Sequence, residues 1–247
     1  KKEKELLGIA EQLYSSFANF HSTGWTKFLY GDPYIALEMA VHHQGEEIHF
    51  YIAVPKAFAQ IIEKQILGLY PAAEVNQSRD YNIFNPQGVS LGFSLMLEKN
   101  PILPLRTYQK VEADPLGQIL TALSKLEEEG EGAAIQILIR PSKSKKIKDA
   151  ASRVAKEIQQ GASFYEALKR SGKSPLAQDM QAVFGLAKPD GKKTREEKLP
   201  SVTPYHEELV KSIVAKASQP AFDANIRVIA SASSEARASQ ILEDIQS

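Results

Sequence analysis

The chain has 247 residues, of which 43% are hydrophobic and 24% charged, and it contains no cysteine. It therefore carries enough apolar material for one sizeable core or two small ones, which excludes disorder throughout, and the missing thiols exclude disulfides, thiolate metal sites and cysteine nucleophiles. Thirty Lys or Arg balance thirty Asp or Glu, yet the stretch from Lys143 to Lys198 holds fourteen basic against seven acidic residues, net +7, and leaves −7 on the remainder.

In chain order, Leu6, Ile9, Leu13, Phe17 and Phe20 recur every three or four residues, the spacing of an amphipathic helix, so residues 1–30 are expected to form a leading helix and a linker. From Tyr34 the period becomes two. Ile35, Leu37, Met39 and Val41 share one face, as do Ile48, Phe50, Ile52 and Val54 beyond the turn His43-Gln44-Gly45-Glu46, which predicts a β-hairpin. Pro55 stops the second strand, Phe58 to Leu69 return to helical spacing, and Tyr70-Pro71 disfavours continuation. Val89, Leu91, Phe93, Leu95 and Leu97 alternate with mostly small or polar residues and predict another strand, which completes a first α/β module over 31–100.

After the hinge Asn100-Pro101, residues Leu105 to Val111 are expected to be extended, and Asp114 is expected to cap a helix whose first position is Pro115. Leu116, Ile119, Leu120 and Leu123 make its apolar stripe; Glu127-Glu128-Glu129-Gly130 end it; Ile135, Ile137 and Ile139 alternate into a strand stopped at Pro141. A basic helix follows, with Ile147, Ala150, Ala151, Val154 and Ile158 on one side and Lys145, Lys146, Lys148, Arg153 and Lys156 largely on the other. Residues 161–204 read as a basic, partly mobile insertion; a helix from Tyr205, a strand over Ile226–Ala230 and a final helix complete a second module over 101–247. The predicted class is α+β: open sheets with helices packed on them, as two adjacent α/β modules, ferredoxin-like in type.

Few residues suggest chemistry. Ser171-Gly172-Lys173-Ser174 ends like a phosphate-binding loop, but Ala167 stands where that loop needs glycine and no buried strand precedes it, so it is read as a basic surface turn. His42, His43 and His49 approach one another across the hairpin; with no cysteine and no nearby Asp to complete a ligand set, they are read as solvent-facing rather than metal-binding. Arg106 and Arg140 have the chemistry to bind an anion or to pair with Glu98 or Glu112, and structural pairing is the favoured reading. Lys143, Lys145, Lys146, Lys148, Arg153 and Lys156 are the candidate contacts for an anion, nucleic acid or lipid headgroup. No catalytic residue, metal or cofactor is expected.

The stretches "YIALEMAVHHQGEEIHFYIAVPKAFAQIIEKQILGLYPAAEV", "LPLRTYQKVEADPLGQILTALSKLEEEGEGAAIQILIRP" and "ANIRVIASASSEARASQILEDIQS" together resemble the region before the motor domain in bacterial type IV secretion or conjugation-like ATPases, membrane-associated relatives of the HerA and FtsK translocation motors. The resemblance implies a non-catalytic N-terminal domain, an anchor upstream and a nucleotide-binding motor downstream. It further implies a cytoplasmic place at the inner face of the membrane, with the chain's own motor domain and other subunits as partners. From the residues alone, the alternative is a stand-alone module that binds nucleic acid or anionic lipid through 143–198.

Overall fold

The period-two stretches become strands because one face of each can be buried while the other keeps its polar residues in water. In the computed structural model, which describes residues 2–22, 24–42, 47–78, 80–107, 115–126, 130–142, 144–171 and 204–246, strand β1 (Ile35–Val41) pairs antiparallel with β2 (Ile48–Ala53), Leu37 opposite Ile52 and Met39 opposite Phe50. Strands β3 (Val89–Leu95), β4 (Gly132–Pro141) and β5 (Phe222–Ala232) join them in one open five-stranded sheet, ordered β2-β1-β4-β5-β3, with every neighbouring pair antiparallel. Because β3 and β4 each run antiparallel to β5, they run parallel to one another with β5 between them. The helix α4 (Pro115–Leu123) connects them, so this part of the chain is a split β–α–β element of the ferredoxin-like kind.

All the apolar phases of the strands fall on one face. Val41, Ala133, Ala230 and Ala232 pack there with Leu123 and Leu126 and with Ala238 and Ile241 of the last helix, α8 (Glu235–Gln246). The other end of the same face takes Phe17 from α1 (Lys2–Phe17), Phe20, and Ile62 from α3 (Ala59–Leu69), against Ile35 and Ile139. A short helix, α2 (Gly24–Tyr30), links α1 to β1 and leaves Trp25 and Phe28 exposed. Each fully buried aliphatic side chain is worth about 1.5–3 kcal/mol, so this one-sided layer supplies most of the stability of the sheet.

The strands of residues 31–100 and those of 101–247 thus share one sheet rather than forming a module each. The compact units follow other bounds: residues 1–98, 106–142 and 222–247 form the sheet unit, and 99–105 with 143–221 form a helical unit set into the chain between β4 and β5. In the helical unit, α5 (Ser144–Gln159), α6 (Phe164–Ser171) and α7 (Pro204–Ser218) bury Ala151, Val154, Ile158, Ala167, Val210 and Ile213 together. Lys216 ties the 99–105 segment in by donating to the carbonyls of Pro101 (2.7 Å) and Leu103 (2.8 Å), and burial lowers its pKa.

Helix α6 falls within the stretch read as an insertion at 161–204. Its start is a reciprocal capping box: the backbone N–H and hydroxyl of Ser163 both donate to the Glu166 carboxylate at 3.1 Å, and the Glu166 N–H donates to the Ser163 hydroxyl at 3.4 Å. Residues 172–203, Asp114 and Glu127–Glu129 lie outside the described residues. Of Leu105–Val111, expected to be extended, residues 105–107 are described and carry no helix or strand.

The two units divide the charge. The sheet unit carries thirteen Lys or Arg against twenty-one Asp or Glu, net −8, and the helical unit seventeen against nine, net +8. Counting described residues alone gives −5 and +5.

Candidate functional site

With the helices on one face, the opposite face of the sheet shows the polar phase of each strand. Register places Tyr51 of β2 opposite Glu38 of β1, Glu38 opposite Gln136 of β4, Gln136 opposite Arg227 of β5, and Arg227 opposite Ser94 of β3. A single polar row therefore crosses all five strands. Gln136 donates its amide to Glu38 Oε1 at 2.6 Å, and Arg227 Nε donates to Asn225 Oδ1 at 3.0 Å.

A strap runs over one end of this face. Ile83 is buried against Ala40 and Ala134, Tyr81 donates its hydroxyl to Glu38 Oε2, and the Asn85 backbone N–H donates to the buried Ser231 hydroxyl at 3.0 Å. Gly132 allows the close approach: a Cβ there would stand 2.2 Å from the Ile83 carbonyl oxygen. Tyr81 also brings its ring flat against Tyr51, centroids 4.4 Å apart and planes within 5°. His42 lies parallel to Tyr81 at 5.4 Å, stacks on His49 at 4.6 Å, and shares a 2.6 Å hydrogen bond between its Nε2 and the Tyr51 hydroxyl. Burial, with the Glu38 carboxylate beside them, pushes the phenol pKa values of Tyr81 and Tyr51 up, so both rings stay protonated donors.

Two of the three histidines thus meet across the hairpin on the face opposite the apolar one, as their phase in the sequence indicates; His43 lies outside the described residues. Among the described residues no three His, Asp or Glu gather as a metal ion would require. The cluster is a polar surface whose donors and acceptors serve each other: Glu38 takes two hydrogen bonds, and Tyr51 and His42 take one another.

The other expected contacts scatter. Arg140 is a structural partner, of Asp223 (3.0 Å) and of the Tyr34 hydroxyl (2.8 Å) among the described residues; register sets Arg140 directly opposite Asp223, and the bond to Asp223 raises the arginine pKa. Arg106 is exposed, and Glu112 lies outside the described residues. Lys148, Arg153 and Lys156 are exposed on α5; Lys145 and Lys146 belong to its first turn; Lys143 and the Gly172-Lys173-Ser174 of the basic turn lie outside the described residues. Sequence reasoning passed over Glu38, Gln136, Arg227 and Tyr81. The first three sit at the polar phase of their strands, which was a usable signal, while Tyr81 lies in a segment without a period. Among the described residues no helix is long and apolar enough to cross a membrane.

A family model described as a domain of unknown function (DUF8128) matches residues 1–246. No curated protein and no solved structure matches the chain.

Proposed function

The chain belongs to the DUF8128 family, and from that premise we propose that it is a non-catalytic N-terminal domain of a membrane-associated translocation motor of the secretion or conjugation kind, working through its surfaces. The observation that carries this reading is the design of the sheet: the flanking helices α1, α3, α4 and α8 lie on one face, and the opposite face, strapped at one end, holds Glu38, Gln136, Tyr81, Tyr51 and His42 already engaged with one another. Such groups shape and stiffen a surface; an acid–base site would leave a proton donor or acceptor turned toward a substrate. The resemblance to the pre-motor region adds the context of a motor and its subunits at the inner membrane face.

The experiment is to read the coding sequence on both sides of these residues and to assay nucleotide hydrolysis of the 247-residue protein. A downstream Gly-x-x-x-x-Gly-Lys-Ser/Thr, an upstream apolar span and no hydrolysis by the isolated protein are expected. A stop codon shortly after Ser247, or ATP turnover that Lys173→Ala abolishes, removes the reading. The exposed Lys148, Arg153 and Lys156 favour one alternative, a module that binds nucleic acid or anionic lipid. That reading predicts DNA or liposome binding that salt weakens and that vanishes when these residues are neutralised.

A further inference from the structure

The separation of charge follows the fold more closely than it follows the sequence. Net +7 over Lys143–Lys198 becomes +8 over the helical unit, and the whole compensating −8 falls on the sheet unit. Within the helical unit, several described basic side chains stand on the outward sides of α5 and α6. Ala151, Val154, Ala155 and Ile158 turn α5 inward, which leaves Lys148, Arg153 and Lys156 outward beside Asp149; on α6, Lys169 and Arg170 are exposed along with Glu166, and Arg170 donates to Glu157 of α5 at 2.8 Å. The sheet unit offers a counterpart in α8. Ala238 and Ile241 face its core, so Glu235, Glu243 and Asp244 stand outward.

We infer that the basic α5–α6 surface takes the acidic sheet unit of a second copy of this chain, with α8 as its counter-surface. Equal and opposite charges on two units of one molecule suit a head-to-tail contact. Each copy then uses its basic surface on one neighbour and its acidic surface on the other, a heterologous arrangement that closes into a ring or continues as a filament. Long-range attraction of this sort orients the encounter and is screened beyond about 8–10 Å at 0.1–0.15 M salt, so the contact is weak in an isolated chain and strengthens when neighbouring segments hold copies together. The inference rests on the proposed role in subunit contacts and names the surfaces that make them.

The test uses the 247-residue protein and two triple variants whose folding is checked by circular dichroism and melting. One carries Lys148→Glu, Arg153→Glu and Lys156→Glu; the other carries Glu235→Lys, Glu243→Lys and Asp244→Lys. Sedimentation of the unaltered protein at low salt is expected to show mass rising with concentration above the 27.3 kDa of one chain, and high salt should return it to one chain. Each variant alone is expected to stay monomeric, while an equimolar mixture associates, since the reversed basic surface of one now meets the reversed acidic surface of the other. Attraction confined within one chain cannot produce that rescue. An unaltered protein that stays monomeric at low salt, a mixture that does not associate, or a basic surface that binds single-stranded DNA or anionic vesicles more tightly than it binds a second copy overturns the inference. Its fate is separable from that of the motor reading. A self-associating protein whose gene encodes no nucleotide motif keeps the inference and loses the motor, and a monomeric one with a motor downstream does the reverse.

Discussion

At the level of single residues, the most exacting position is Glu131, a carboxylate only 3% exposed that receives Arg237 through both Nε (2.5 Å) and Nη2 (3.0 Å). Removing one partner leaves a buried charge without its complement. Arg237→Ala is therefore predicted to cost about 3 kcal/mol, the low end for a broken buried pair because Arg237 is itself 29% exposed. That corresponds to a melting temperature lower by about 6–12 °C, readable by scanning calorimetry. Replacing both, Glu131→Leu with Arg237→Met, should recover most of the loss; a double variant as unstable as the single one contradicts the argument. Glu166 behaves differently because it is exposed. Its two bonds from Ser163 and the nearby Arg170 hold its pKa below the ordinary glutamate value of 4.5, the Ser163 bonds contributing most. A folded-state pKa below the unfolded one stabilises above the unfolded value and is lost as pH falls through the folded one. A carboxyl titration by NMR should therefore find Glu166 ionising at lower pH than free glutamate, and Ser163→Ala should move it back toward that value.

At the level of elements, the strap over residues 80–88 depends on Gly132 and on Ser231. Gly132→Ala would set a Cβ against the Ile83 carbonyl, with no flexible side chain to give way, and is predicted to destabilise by about 1–3 kcal/mol, seen as a lower denaturation midpoint with an unchanged slope. The hairpin and the positions of most helices were legible in the sequence because their apolar residues repeat at two or at three to four. The ends were less so. β3 stops at Leu95, opposite Ile226, although Leu97 continues the alternation and β5 runs on to Phe222, and Met96 is 91% exposed. β5 in turn begins at Phe222, four residues before its apolar run, because Phe222–Asn225 pair with Leu138–Pro141. The strap was invisible because Tyr81, Ile83 and Asn85 are held by contacts from distant strands, and no local period records such contacts.

At the level of the whole molecule, the chemistry-bearing residues fell where their phase placed them, but their grouping needed the register. Glu38, Gln136 and Arg227 are 98 and 91 positions apart in the chain and become neighbours only through β1–β4 and β4–β5 pairing. The same long-range pairing makes one sheet of the two expected modules, since the β3–β5 ladder joins residue 89 to residue 232. The helical unit joins residues 99–105 to the chain between β4 and β5, and the described part of the basic segment read from the sequence belongs to it. The central claim is that this domain supports a motor without contributing to its chemistry. It is tested most directly on the intact protein and on the same protein lacking residues 1–247, by measuring ATP turnover and oligomeric mass side by side. Turnover per nucleotide site that persists in the truncated protein while assembly at the membrane fails is the predicted result; loss of ATP binding itself on truncation, with assembly intact, contradicts it.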